Sequence, residues 1–299
     1  MQALPDAVTD AVTDAVTGAL PDAYRHPRSS LAGRLAAWLI NSRRLARLRH
    51  AVFSRLPFPV LESAVADVVY LTWLVDAAAA QALAGPGVRL WQRGGRTPFT
   101  VLSYRHGHFG PALFGPLRTA FPSPLQSNWR FYVEDGSNPA LPPRTVHFVK
   151  NVMDSRLYTF ATRLFSDIME THLADDFVHD GSAGGWRTTI APGAGSAPAL
   201  ACVAIPGQRR LPAGFAAPFG GWDEAVAWLS RQDAAIAPAR RQGRMALAHI
   251  DLPIPLDEVE PLAVQDARCP LLGELGQVSA PLAFRVPRVR FRVLSERLL

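Results

Sequence analysis

Lys150 is the one lysine in a chain with 31 basic side chains, so chemistry that needs a side-chain amine has a single candidate. A desolvated amine loses its proton near neutral pH and attacks a carbonyl carbon to form a Schiff base, whereas an arginine stays charged and cannot substitute. The residue lies in the apolar run Thr145-Val146-His147-Phe148-Val149-Lys150-Asn151-Val152. Strand alternation places Phe148, Lys150 and Val152 on one face and His147, Val149 and Asn151 on the other. If the first face is enclosed, Lys150 is the catalytic candidate, for imine formation or as a general base. If it faces water, Lys150 is an ordinary cation left behind by a strong compositional preference for arginine.

Asn128, Arg130 and Tyr132 follow at spacing two, hence on one face of one strand. An amide, a planar cation and a phenol together suit a carboxylate or a carbonyl oxygen, which makes them ligand-binding candidates. The bland alternative is a polar strand face paired to an acid such as Glu134 or Asp154. Tyr104, His106 and His108 repeat the period on another strand; Tyr104 joins the ligand-binding candidates. Two histidines at i and i+2 can share a metal, but no spacing supplies a third ligand, so no metal is expected. Arg163, on a helix, either lines the pocket or anchors a carboxylate of the sheet. Asp167 and Glu170, at i and i+3, are an acid/base pair or a solvated helix face. GxSxG, GxGxxG, P-loop and HExxH patterns are absent, and no cofactor is expected.

The elements that must position these residues are mostly strands. Val65 to Val75, Thr97 to His108, Asn128 to Glu134, Arg144 to Met153, Trp186 to Ile190, Leu200 to Ile205, Arg244 to Ile250 and Val289 to Leu294 are rich in β-branched and aromatic residues between Gly/Pro turns. Helical spacing marks Ala77 to Leu83, Ser155 to His172 with Asp154 or Ser155 as N-cap, and Gly221 to Asp233. Residues 6–17 repeat Asp-Ala-Val-Thr three times and begin a low-complexity tail, 1–28. Residues 29–58 form an amphipathic helical extension in which Leu31, Leu35, Trp38, Leu39, Leu45, Leu48 and Val52 recur among Arg34, Arg43, Arg44, Arg47 and Arg49. Such a helix docks its apolar face on the protein's own core, or meets a partner or an anionic membrane. Residues 60–299 form one domain, an α+β antiparallel barrel or cone with helices outside.

At 48% hydrophobic and 19% charged residues the composition fits a globular protein. The net charge of +6 comes from scattered arginines that alternate with acids, so nucleic acid is not an expected partner. Cys202 and Cys269 stand alone, without zinc or disulfide spacing, which points to a reducing, cytoplasmic setting. No window reaches the roughly 18 apolar residues of a spanning helix, and Asp6, Asp10 and Asp14 interrupt the place of a secretory signal.

The order of segments resembles the YqjF-like branch of the acetoacetate decarboxylase superfamily over roughly residues 60–265. Val68-Val69-Tyr70-Leu71-Thr72-Trp73, the strand around Tyr104, Asn128-Trp129-Arg130-Phe131-Tyr132-Val133, the Val146 to Val152 strand, the Arg163 helix and Ala248-His249-Ile250-Asp251-Leu252-Pro253 carry the resemblance. It implies a barrel around a small-molecule pocket and, in the characterised decarboxylases, a lysine that forms a Schiff base with a β-keto acid. Setting the family's helix arginine on Arg163 places its catalytic lysine and that lysine's neighbour near Glu170 and Thr171, and the arginine of its first strand near Ala66. None of these three residues is basic, so the family's Schiff-base lysine is missing.

The reading is a small-molecule-binding protein whose ligand is a small organic acid or carbonyl compound. Asn128, Arg130, Tyr132, Tyr104 and Arg163 would bind it, with Lys150 available for covalent chemistry of a decarboxylase or related type; a homo-oligomer is compatible with the sequence. The alternative is a non-catalytic scaffold that meets a partner or membrane through the Arg-rich helix 30–55.

Overall fold

A strand apolar on both faces must be covered on both, and residues 68–75, apolar apart from Thr72 and buried throughout, meet that condition. The computed structural model describes residues 23–53, 55–85, 87–182, 184–239 and 243–299; the Asp-Ala-Val-Thr repeat lies outside them. The strands are β1 (Leu61–Asp76), β2 (Arg96–Arg105), β3 (Gly110–Pro111), β4 (Leu125–Tyr132), β5 (Thr145–Met153), β6 (Thr171–Leu173), β7 (Asp176–Ser182), β8 (Gly185–Ala191), β9 (Leu200–Pro206), β10 (Ala234–Ala239), β11 (Arg244–Asp251), β12 (Glu260–Arg268) and β13 (Leu282–Leu298). The α-helices are α1 (Leu31–Ile40), α2 (Arg43–Phe53), α3 (Ala77–Ala84), α4 (Arg156–Phe165) and α5 (Trp222–Ser230).

Seven strands close a barrel in the order β1-β2-β4-β5-β10-β11-β13, and β13 returns to pair with β1. All neighbours in it are antiparallel except β5 and β10. Closure removes the exposed edges that an open sheet would present. The long strand β13 also pairs with β12, from which β9, β8 and β7 continue as a second sheet. On β1, Val68, Tyr70 and Leu74 enter the barrel interior, while Val69, Leu71, Trp73 and Val75 join the outer core shared with the second sheet and α3. The expected antiparallel barrel with outer helices is therefore the observed fold.

The N-terminal extension differs from the expectation. Instead of one helix there are two, because the Asn41 side chain pairs with the main chain of Tyr24 in both directions, at 2.8 and 3.1 Å, and stops α1. Gly33, Ala37 and Ile40 face the body, against Tyr24, Leu173 and α4. A Cβ on Gly33 would lie 2.7 Å from the Arg28 carbonyl oxygen, so this approach requires glycine. Leu31, Leu35, Trp38, Leu39, Leu48 and Val52, which the sequence left either to dock on the core or to meet a partner or membrane, face outward.

Helix α4 is also shorter than the spacing predicts. Ser155 caps its start, but it ends at Phe165 because the Ser166 hydroxyl accepts from the amides of Ile168 and Met169, while Glu296 takes the Asp167 amide. Residues 171–173 then pair in parallel with β5. Asp167 and Glu170 consequently share no helix face. Asp167 is buried and ion-paired to Arg49 of α2, with His50 at 3.5 Å.

Candidate functional site in the barrel

Strand β4 alternates without interruption, and its inward residues are Gln126, Asn128, Arg130 and Tyr132. The expected common face of Asn128, Arg130 and Tyr132 is the interior of the barrel. Arg130 is 0% exposed, and its guanidinium meets only neutral groups among the described residues. One terminal nitrogen donates to the Gln232 carboxamide oxygen; the other donates to the Leu229 carbonyl at 2.9 Å and approaches the Tyr132 hydroxyl at 3.4 Å. Its Nε–H has no acceptor among the described residues. The acids considered beforehand are engaged elsewhere: Glu134 with Arg93 at 3.8 Å, and Asp154 with the Leu125 amide at 3.0 Å.

The surroundings of Arg130 are largely aromatic. The guanidinium stands 5.6 Å from the Tyr70 ring centre and 5.4 Å from that of Tyr132, and Tyr70 stacks on Phe284 at 4.5 Å. The Tyr132 hydroxyl donates to Leu229 O at 2.8 Å and takes a hydrogen bond from Thr100 at 2.9 Å; Thr100 also bonds Thr72 at 2.8 Å. Leu229 is in the last turn of α5, so Arg130 and Tyr132 together cap the negative end of a helix that closes this end of the barrel. Burial pushes the Tyr70 hydroxyl up to about 12 and that of Tyr104 higher still, so both phenols act as neutral hydrogen-bonding groups.

A second polar chain crosses the interior beside this one. The Gly107 amide donates to Ser63 Oγ, which pairs with His106 Nδ1 at 2.9 Å; His106 Nε2 pairs with Gln126 Oε1 at 2.7 Å. Gln126 Nε2 and the Tyr104 hydroxyl both donate to Asn128 Oδ1, at 2.8 and 3.1 Å. Because the Gln126 amide nitrogen is spent on Asn128, its oxygen must accept, which assigns the proton to His106 Nε2. Burial drives the His106 pKa down to about 4, so the ring is neutral. Tyr104 and Asn128 therefore belong to the interior, joined to each other. Asn151, opposite Asn128 on β5, has a buried carbonyl oxygen with no partner among the described residues.

Lys150 does not share this compartment. The pairing of β4 with β5 shifts between Trp129 and Arg130: Arg130 lies opposite Phe148, but Trp129 lies opposite Lys150. The extra residue is Val149, a bulge that inverts the alternation beyond it. The expected common face of Phe148, Lys150 and Val152 is thereby corrected. Phe148 points inward, whereas Lys150 and Val152 take the outer side with Trp129, where Lys150 is 6% exposed. The parallel pairing of β5 with β6 starts one residue beyond Lys150, at Asn151 opposite Thr171.

Arg163 also lies apart from Arg130. Its Nε donates to Thr171 O at 2.5 Å and Nη2 to Glu170 O at 3.3 Å, fixing the start of β6, and its guanidinium sits 5.1 Å from the Tyr24 ring centre. Strand β2 stops at Arg105, so His106 is buried while His108, at φ 53°, turns outward to the Phe121 carbonyl; the two histidines share no face. Cys202 and Cys269 are buried thiols pushed up to about 12, unsuited to nucleophilic attack.

A cavity of about 200 Å³ opens at the α5 end of the barrel, lined by Trp91, Tyr132 and Trp228 together with Arg93, Arg144 and Arg231 and the acids Glu134 and Asp135. Tyr132 thus belongs both to this cavity and to the Arg130 cluster. Sequence reasoning missed Gln232, Leu229, Tyr70 and Thr100. Their roles arise from strand closure and from the seating of α5, which leave no local pattern.

Three solved structures place the fold. The chain is similar to the acetoacetate decarboxylase of Legionella pneumophila subsp. pneumophila str. Philadelphia 1, at a TM-score of 0.54 and 8% identity over 81% of this chain and 88% of that one. It is similar to another acetoacetate decarboxylase structure at 0.53 and 12% identity, covering 81% and 89%. An acetoacetate decarboxylase-like enzyme from Sphingomonas wittichii RW1 matches at 0.50 and 10% identity, covering 81% and 94%. No family model and no curated protein matches the chain. The fold is that of the acetoacetate decarboxylases.

Proposed function

We propose that this protein binds a small organic acid inside the barrel and does so without a Schiff base. The observation that carries the reading is Arg130: fully buried, held by neutral acceptors, with an unused Nε–H and no carboxylate in range among the described residues. A buried guanidinium costs several kcal/mol in lost hydration unless an anion compensates it. A carboxylate on Nε and one terminal nitrogen would supply that compensation through a pair of charge-assisted hydrogen bonds. The Gln232 carboxamide, which has a carboxylate's shape without its charge, occupies part of that place. Asn128, Tyr132 and the Tyr104 hydroxyl supply polar contacts for the rest of a short ligand.

Catalysis by imine formation is not part of the proposal, because the one side-chain amine, Lys150, lies on the opposite face of the barrel wall from Arg130. The experiment is a calorimetric titration with acetoacetate and, in parallel, with its neutral methyl ester. Saturable binding of the acid, at least about tenfold tighter than the ester, is the expected result, a difference of about 1.4 kcal/mol or more. Equal affinity for the two, or a covalent adduct at Lys150 after borohydride reduction, would refute it.

A further inference from the structure

We infer that the outward faces of α1 and α2 form a docking surface for an anionic lipid membrane. This rests on observations separate from the barrel site. Helix α1 is apolar on two opposite sides. Gly33, Ala37 and Ile40 follow one helical stripe against the body. Leu31, Leu35 and Trp38, with Leu39 beside them, follow the opposite stripe at 68%, 61%, 72% and 42% exposure. The body-facing stripe accounts for the docking of the helix; the outer stripe is left to water, where an apolar patch of this kind marks an interaction site. On α2, Leu48 and Val52 are likewise exposed at 64% and 50%.

The charge around these residues selects the partner. From Ser29 to Leu61 the sequence has six arginines and no aspartate or glutamate. Arg49 is committed to Asp167 inside, while Arg34, Arg43, Arg44, Arg47 and Arg55 are exposed. Exposed leucines and a tryptophan bordered by arginines, with no acid among them, are what a helix lying in the headgroup region of an anionic bilayer needs: apolar side chains enter the acyl boundary, tryptophan sits at the interface and arginines meet lipid phosphates. A protein partner would have to supply an equally one-sided acidic surface. No helix among the described residues is long and apolar enough to cross a membrane, so the contact is peripheral. The Asn41 clamp holds α1 to the Tyr24 segment and the Arg49–Asp167 pair holds α2 to the loop after α4, so the surface is displayed ready-made.

The test is co-sedimentation of the full chain with vesicles of phosphatidylcholine alone and of phosphatidylcholine mixed with phosphatidylserine. The expected result is binding to the mixed vesicles that weakens with added salt, and binding to pure phosphatidylcholine at least about tenfold weaker. The combined change Leu35→Glu and Trp38→Glu, on side chains that face water, should leave the circular dichroism spectrum unchanged and abolish co-sedimentation. Arg44→Glu with Arg47→Glu reads the electrostatic part alone and should weaken binding about tenfold or more. Absence of binding, equal binding to both vesicle types, or indifference to these substitutions overturns the proposal. So does a dimer that Trp38→Glu dissolves, which would assign the face to a second copy of the chain.

Discussion

Arg130→Met is expected to weaken carboxylate binding by about a hundredfold or more while the barrel remains folded. The magnitude follows from the loss of two charge-assisted hydrogen bonds, each contributing about 1.5–3 kcal/mol, against about 1.4 kcal/mol per tenfold in affinity. Methionine keeps the length of the aliphatic stem between the Tyr70 and Tyr132 rings and removes only the charge and its donors. Two opposing effects on stability nearly cancel. The buried cation disappears, which removes its desolvation penalty. The Gln232 oxygen loses its donor, at a cost of about 1–3 kcal/mol, but Leu229 O keeps the Tyr132 hydroxyl at 2.8 Å. Calorimetry with acetoacetate, with a thermal melt as control, checks both parts. Unchanged affinity in a folded variant would place the anion elsewhere; loss of folding would make Arg130 a structural clamp on α5.

A second large effect concerns acid. His106 is neutral in the folded chain with its pKa near 4, against 6.5 when exposed. Between these values the unfolded chain holds a proton on this ring that the folded chain does not. Stability is therefore undiminished above pH 6.5 and falls as the pH drops, by about 1.4 kcal/mol per pH unit, to a loss of about 3 kcal/mol at pH 4. His179, buried and hydrogen-bonded between Thr188 and the Asp67 carbonyl, is shifted the same way and adds to the slope. Burial raises the carboxyl pKa of Glu296 and of Asp154. Those groups bind protons more readily when folded and oppose the histidines as pH falls. The contribution of His106 is isolated by subtracting the denaturation free energies of His106→Gln, whose side chain stays neutral and hydrogen-bonding at every pH, from those of the wild type. The difference should fall by about 3 kcal/mol from pH 6.5 to pH 4. A flat difference would mean that the ring accepts its proton inside the fold.

What the sequence reveals of this site follows the range of each interaction. Asn128, Arg130 and Tyr132 lie on one unbroken strand, where alternation alone decides the face, so their common direction is legible from spacing. Lys150 is one strand away and is misread, because the bulge at Val149 belongs to the pairing of β4 with β5 and not to β5 alone. The same limit hides Gln232, which reaches Arg130 across 102 residues of chain. It also explains the overlong helix at Ser155 to His172: the periodicity continues to Ile168, but Glu296 at the far end of the sequence captures the Asp167 amide and turns the chain. The barrel itself is legible because its strands are rich in β-branched and aromatic residues between Gly/Pro turns. In the N-terminal extension the amphipathic pattern is real but inverted, since the stripe of glycine, alanine and isoleucine docks and the leucine and tryptophan stripe does not.

The unused Nε–H of Arg130 gives the most direct access to the binding site. In protein labelled with ¹⁵N-arginine, its resonance should be protected from solvent exchange by burial and should shift saturably on titration with acetoacetate, as a neutral environment gives way to a charge-assisted hydrogen bond. The methyl ester should leave it in place. A resonance that stays unmoved while calorimetry records acetoacetate binding would put the ligand outside the barrel interior and contradict the proposed role of Arg130.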